Sequence, residues 1–270
     1  MLGSLLLYAG LVVASAGALS VVRPLAFLGI ASRPREAVIL AVGLVVVAAA
    51  FALPAREKRI KSARTVLDRF VPAWQFGEFH TIRVSAPPDR VYRAVKDVTA
   101  REIRLFRTLT AIRRLGRRGP ESILNAPLDH PLIEVATQSG FQWLSDEPDE
   151  IVLGTVVVAP RGFGATRGLD PSDFGTLRAP GFALAAMNFR IEPAGEGACL
   201  LTTETRVFAT DVSARRRFAP YWRTIYPGSA LIRRMWLRAV RRRAESPPPA
   251  RPATWPGSRR TSPTGPGRPI

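Results

Sequence analysis

The hydrophobic pattern of this 270-residue chain changes character several times along its length. Residues 1–22 carry no charged side chain, and Arg23 and Pro24 close the run. Residues 37–53 form a second uncharged run, closed by Pro54 and Arg56. A helix needs roughly 20 apolar residues, about 17 at the short end, to cross the hydrocarbon core of a bilayer. Both runs satisfy that requirement, which predicts a transmembrane helical hairpin over 1–54. Ala16-Gly17-Ala18 also resembles a signal-peptide cleavage site, but no positive segment precedes the apolar run. Residues 55–75 then read as a basic juxtamembrane linker, with an amphipathic helix over 55–72 whose apolar or small members are Ile60, Ala63, Leu67 and Phe70.

From Phe76 the periodicity is that of a folded domain. Phe76–Val84 alternates as a strand, and Pro87-Pro88-Asp89 starts a short helix over Arg90–Val98. Thr99–Leu115 reads as a second helix with Ile103, Phe106, Leu109 and Ile112 on one face. After the loop-rich Gly116–Pro131, a short helix is expected near Leu132–Thr137. Strands follow at Phe141–Leu144 and Ile151–Val158, then a Gly-rich loop over Pro160–Pro180. Gly181–Ile191 and Ala198–Phe208 form a hairpin around Pro193–Gly197. Thr210 and Asp211 supply a cap signal for a long final helix. Its stripe of Phe218, Trp222, Ile225, Ser229, Ile232, Trp236 and Ala239 keeps a 4-3-4-3-4-3 spacing through Pro227-Gly228, as one kinked helix would. Arg215–Arg217, Arg233, Arg234, Arg238 and Arg241–Arg243 are expected to cover much of its remaining surface. Residues 246–270 hold eight prolines, four arginines and no acid, the composition of a disordered tail.

Charge refines this division. The formal net charge is +18, but it is unevenly spread. Residues 73–210 are neutral, 1–72 carry net +6 and 211–270 carry net +12. Arg outnumbers Lys 36 to 3, so part of the high isoelectric point is a bias of composition. A neutral body with no readable DNA or RNA motif weighs against nucleic acid as a partner, leaving the C-terminal Arg clusters as its remaining support. Three arginines, Arg23, Arg33 and Arg35, flank the turn of the hairpin, and six basic residues follow it between Arg56 and Arg69. The heavier side is expected to be cytoplasmic, with residues 24–36 outside. One cysteine, Cys199, excludes an intrachain disulfide, and with His80 and His130 alone no histidine-rich metal site is expected. No metal or cofactor is implied.

Six stretches together resemble the START/Bet v 1-like superfamily, also called SRPBCC or polyketide cyclase/lipid-transport-like. They are 79–95, 102–115, 140–144, 151–154, TETRVFATD at 203–211 and ARRRFAPYWRTIYPGSALIRRMWL at 214–237. The last two are the most specific, and the similarity is greatest to a bacterial membrane-associated branch. The resemblance covers about 76–245 and implies an α+β helix-grip fold: a curved antiparallel sheet around the long C-terminal helix, with an apolar cavity between them. The bacterial branch, taken with the two apolar runs and the Lys/Arg bias outside the resemblance, leads to the expectation of a bacterial inner-membrane protein, multi-pass, with its C-terminal domain cytoplasmic. Its partners would be the lipid bilayer and a hydrophobic small molecule or lipid.

Several residues could carry chemistry. Glu78 and His80 share one face of the first strand, so the carboxylate could orient the imidazole as a general base; a structural pair is the simpler reading. Glu204 and Arg206 share a face of the last strand, opposite Asn188 and Arg190. Facing inward they could hold the polar head of an apolar ligand, and facing outward they form a solvated charge ladder. Phe106, Phe141, Trp143, Phe189, Trp222 and Tyr226 are candidates for the walls of a pocket or for ordinary core. These readings leave a membrane-tethered hydrophobic-ligand module, with a cyclase- or hydrolase-like enzyme in the same cavity as the alternative.

Overall fold

A computed structural model describes residues 2–22, 33–114, 122–163 and 169–247. The tail after Pro247, most of the hairpin turn and Gly164 lie outside the described residues, as does the disorder expected of that tail.

Two long helices open the chain, α1 (Leu2–Val22) and α2 (Arg33–Ala52). Each is long and apolar enough to cross a membrane. They pack through small residues: a Cβ at Gly17 would strike the Leu40 backbone, and one at Gly43 the Ala14 backbone. Ser4, Leu7, Gly10, Ala14, Gly17 and Ser20 form the buried seam of α1. Leu5, Val12, Leu19, Val38 and Val45 face outward, more than half exposed. This is the reverse of a soluble core helix, whose large apolar residues turn inward. Ala16-Gly17-Ala18 sits inside the continuous α1.

The 55–72 segment departs from the expected amphipathic helix. Lys58–Arg59 (β1) pairs with Ala73–Trp74 (β2), and only Val66–Phe70 (α3) is helical. Thr65 caps α3 in a reciprocal box with Asp68, so the helix starts there rather than at residue 55. Leu67 and Val71 join a small core with Val152, Phe174 and Leu184 on the outer face of the main sheet.

That sheet has five antiparallel strands: β3 (Phe76–Val84), β4 (Gln142–Asp146), β5 (Glu150–Val158), β6 (Ala183–Pro193) and β7 (Cys199–Ala209). Its spatial order is β3-β7-β6-β5-β4, a four-strand meander closed by β3 against β7. The β6–β7 turn uses Gly195 and Gly197 with positive φ, the conformation that glycine adopts without steric cost. Between β3 and β4 lie α4 (Pro88–Asp97), a 3₁₀ turn (Ala100–Glu102), α5 (Phe106–Arg113) and α6 (Leu132–Gln138). The helix expected over Thr99–Leu115 is therefore broken. Thr99 and Glu102 close a capping box over the 3₁₀ turn, and Leu105 adopts a left-handed φ of 56°. Ile112, expected on the buried face, is exposed. The loop expected over Pro160–Pro180 contains one turn of helix, α7 (Pro171–Phe174), capped by Asp170.

The last helix, α8 (Val212–Glu245), runs unbroken through Pro220 and Pro227, with Asp211 accepting from the Ala214 N–H at its start. The sheet, α4 and α5 all pack on it, which is the expected α+β arrangement. Phe218, Trp222, Ile232, Trp236 and Ala239 of the stripe are buried. Ile225 and Ser229 are only partly so, because they face a cavity. Trp236 is 2% exposed, its ring 5.0 Å from that of Phe189, with Leu237 and Val240 meeting the α4 side of the same core. Truncating a buried Trp costs roughly 3–5 kcal/mol, against about 0.5 kcal/mol or less for a solvated surface residue. Chemical denaturation should therefore show Trp236→Ala destabilised by about 3–5 kcal/mol, with Arg234→Ala and Arg241→Ala close to the parent.

Candidate functional site

Between the inner face of the sheet, α8 and α5 lies a cavity of about 470 Å³. Strand alternation turns Phe76, Glu78, His80, Ile82 and Val84 of β3 inward. Phe106, Phe141, Val207, Phe218, Trp222 and Ile225 supply much of its apolar wall. Arg113, Val157, Arg217 and Tyr221 lie at its exposed edge, where Arg113 Nε donates to the Tyr221 hydroxyl at 2.9 Å.

The floor is polar. Glu78 Oε1 accepts from Ser229 Oγ at 2.8 Å and lies 3.7 Å from Arg233 Nε. His80 Nε2 stands 3.7 Å from Glu78 Oε2 on the far side. Glu78 Oε2, His80 Nε2, Thr205 Oγ1, Arg233 Nη1 and Trp236 Nε1 are all buried without a hydrogen-bond partner. Buried polar atoms are ordinarily satisfied by protein or ordered water, so this concentration sets the floor apart from the rest of the core. Burial pushes the Arg233 guanidinium below its usual value, and the Glu78 charge opposes that shift. Burial, with the Glu78 charge, pushes the Tyr226 phenol up.

The sequence-derived candidates divide sharply. Glu78, Phe106, Phe141 and Trp222 line the cavity. His80 lies behind Glu78 and Phe189 behind Trp236. Tyr226 packs beside Trp222, and Trp143 sits on the α4 side beneath the Lys96 ammonium; neither lines the cavity. Glu204 and Arg206 are on the opposite face of the sheet and cannot hold a ligand in this cavity. Nor are they the solvated ladder considered as their alternative. Arg206 is buried under α3, bonded to Asp68 Oδ1 at 2.7 Å, Val71 O at 3.0 Å and Glu204 Oε1 at 2.7 Å, and stacked 4.0 Å from the Trp74 ring. Asn188 shares that face and donates to Glu150, whose carboxylate accepts the Val66 and Leu67 amides at the start of α3. Strand alternation shows that Glu204 and Arg206 travel together. It does not show that residues 66–74 cover them.

Arg233 and Ser229 are site members that the sequence reading misses. The helical pattern puts Arg233 on the exposed surface, yet its side chain is only 12% exposed. The available signal is its place four residues after Ser229 and three before Trp236, at the flank of the apolar stripe.

No protein-family model matches the chain, and no curated protein matches it in sequence. Solved structures that align with it include TTHA0849 from Thermus thermophilus, at 12% identity over 63% of this chain and 97% of that chain, with a TM-score of 0.26. Norcoclaurine synthase from Thalictrum flavum, in complex with dopamine and hydroxybenzaldehyde, aligns at 11% identity over 68% and 94%, with a TM-score of 0.24. Zhui aromatase/cyclase from Streptomyces sp. R1128 aligns at 13% over 62% and 94%, with a TM-score of 0.21. A Bet v 1-like type of fold is represented among these neighbours. Likeness at this distance transfers no chemistry to the present chain.

Two outcomes follow from the buried charges. Breaking a buried pair strands the remaining ion, at a cost of about 3–5 kcal/mol, whereas removing both ions can be nearly neutral. In a double-mutant cycle Glu78→Gln should therefore lose more stability than Glu78→Gln/Arg233→Met. On the outer face, burial pushes the Asp68 carboxyl up, but hydrogen bonds from the Arg64 amide and Arg206 outweigh it and hold the group below its ordinary value. A carboxyl depressed in the folded state stabilises the fold above its unfolded pKa, about 3.9, and loses that contribution as the pH falls through its folded value. Urea midpoints measured downward from pH 5 should fall, and should fall less steeply in Asp68→Asn.

Proposed function

We propose that this chain is a membrane-anchored binding module whose cavity holds an apolar or lipid-like molecule. The observation that carries the reading is the cavity itself, apolar along its walls and polar at its floor. Its volume lies within the roughly 300–1,000 Å³ common for small-molecule sites. Water enclosed with the occupant would meet the unpartnered atoms of Glu78, Thr205, Arg233 and Trp236, while Phe106, Phe141 and Trp222 would cover its hydrocarbon. The hairpin of α1 and α2 spans the bilayer in this reading, since its outward face is Leu and Val and its seam is Gly and Ala. The Lys/Arg excess after α2 supports a cytoplasmic position for the domain in the same reading.

Trp222 and Trp236 both line the cavity, so energy transfer from tryptophan to cis-parinaric acid reports occupancy. Detergent-solubilised protein should bind this fluorescent fatty acid saturably. Ala185→Phe, which places a ring on a cavity-lining β6 position, should abolish that binding while the domain still unfolds cooperatively. Undiminished binding in a folded Ala185→Phe protein would locate the occupant elsewhere and end the cavity reading.

A further inference from the structure

Among the described residues, hydrogen bonds join the hairpin to two neighbouring residues of α8. Arg223 Nη1 donates to the Phe51 carbonyl at 2.8 Å, and Nη2 to that of Leu53, at the C-terminal end of α2. Tyr8 Oη donates to the Thr224 carbonyl at 2.6 Å, and Gly3 leaves room for the Arg223 side chain alongside α1. Arg223 is buried in this contact despite its charge. Ala55, just beyond α2, packs on the core cluster of Phe76, Ala183, Ala209 and Phe218. The hairpin thus meets the domain at one end of the sheet, where β6 begins and β7 finishes.

The cavity edge lies at that same end. Tyr221 is two and three residues from Arg223 and Thr224, or about 3–5 Å along the helix axis, and Arg217 about 10 Å. Arg217 also donates to Ala159 O, just past the end of β5, and Val157 closes that side. Two cations, a tyrosine and an exposed valine therefore surround the opening at the same end of the sheet as the hairpin contact. Arg56, Lys58, Arg59 and Lys61, all exposed or nearly so, continue the positive surface directly from α2. Such a surface attracts the headgroups of anionic lipid.

We propose that the cavity exchanges its occupant directly with the bilayer. The opening at Arg113, Val157, Arg217 and Tyr221 is apposed to the headgroup layer, and the occupant is a single-chain anionic amphiphile drawn from that leaflet. Its head group is held by the rim arginines and its chain lies along the apolar wall. The proposal rests on the reading of the cavity as a binding site and of the hairpin as membrane-spanning. It adds the route of entry, the charge of the ligand and the role of Arg223 as the latch that fixes the opening at the surface.

The test uses the full chain in liposomes of phosphatidylcholine and phosphatidylglycerol. Cys199 is fully buried, and burial pushes its thiol up, so a thiol-reactive fluorophore reports introduced cysteines. One is placed at the rim, Val157→Cys, and one in the β6–β7 turn at the other end of the sheet, Glu196→Cys. Phosphatidylcholine with a nitroxide high on its acyl chain should quench the Val157 position several-fold more than the Glu196 position. Arg223→Met should reduce that difference at least twofold while parinaric acid binding in detergent stays unchanged; Tyr8→Phe, which removes only the bond to Thr224, should act in the same direction. Parinaric acid placed in the protein's own liposomes should load faster than from separate vesicles, and its methyl ester should bind several-fold more weakly. Equal quenching at the two positions, or equal loading from both sources, overturns the direct route. Equal binding of the ester overturns the anionic ligand. Absence of parinaric acid binding in detergent removes the cavity reading itself, whatever the quenching shows.

Discussion

The structure depends on one helix being buried from several sides at once. The inner residues of α8 fill the sheet through Trp236 and Phe218, its flank meets α4 through Leu237 and Val240, and Arg223 engages the hairpin. A helix that satisfies so many neighbours cannot shift against one of them without disturbing the others. Where its stripe reaches Ile225 and Ser229 the sheet does not close onto it, and the space left is the cavity. The same turns of α8 thus supply both core and cavity wall, Phe218, Trp222, Ile232 and Trp236 being buried and also lining the space.

The two faces of the sheet use buried charge in different ways. On the outer face Arg206 bonds to Asp68, Val71 O and Glu204, and Glu150 accepts the amides that open α3. That network fastens residues 66–71 onto the sheet and joins the end of the hairpin to the domain. On the inner face Glu78 and Arg233 are 3.7 Å apart and each retains an unpartnered atom. A fully paired network rigidifies the fold, whereas each unpaired buried atom costs stability.

Much of this architecture can be read from spacing alone. The long strands and α8 are legible because period-2 and period-3.6 patterns run through them for nine residues or more. That Glu78 and His80 share one face follows from the same alternation, but that this face is the inner one does not. Some short elements are not legible: α3 and the Ala100–Glu102 turn are set by the capping boxes of Thr65 and Thr99, which override the apolar spacing around them. Nor can alternation alone assign the two faces of β7. The face bearing Glu204 and Arg206 looks polar in sequence, and only the return of residues 66–74 across it makes it an interior. Arg233 is hidden for a related reason, since an arginine at the edge of an apolar stripe reads as solvated until Glu78 is brought opposite it.

The Arg223 contact also bears on the order in which the molecule comes into being. The terminal carbonyls of an α-helix have no partners within the helix. At the end of α2 those of Phe51 and Leu53 receive theirs from a side chain about 170 positions further along the chain. During synthesis the hairpin is complete long before that arginine exists, so water or lipid headgroups must satisfy its open end in the interval. The bonds form only after β7 has closed the sheet and α8 has been laid across it. The finished end of the second helix is therefore a record that the sheet and the helix that carries Arg223 are in place.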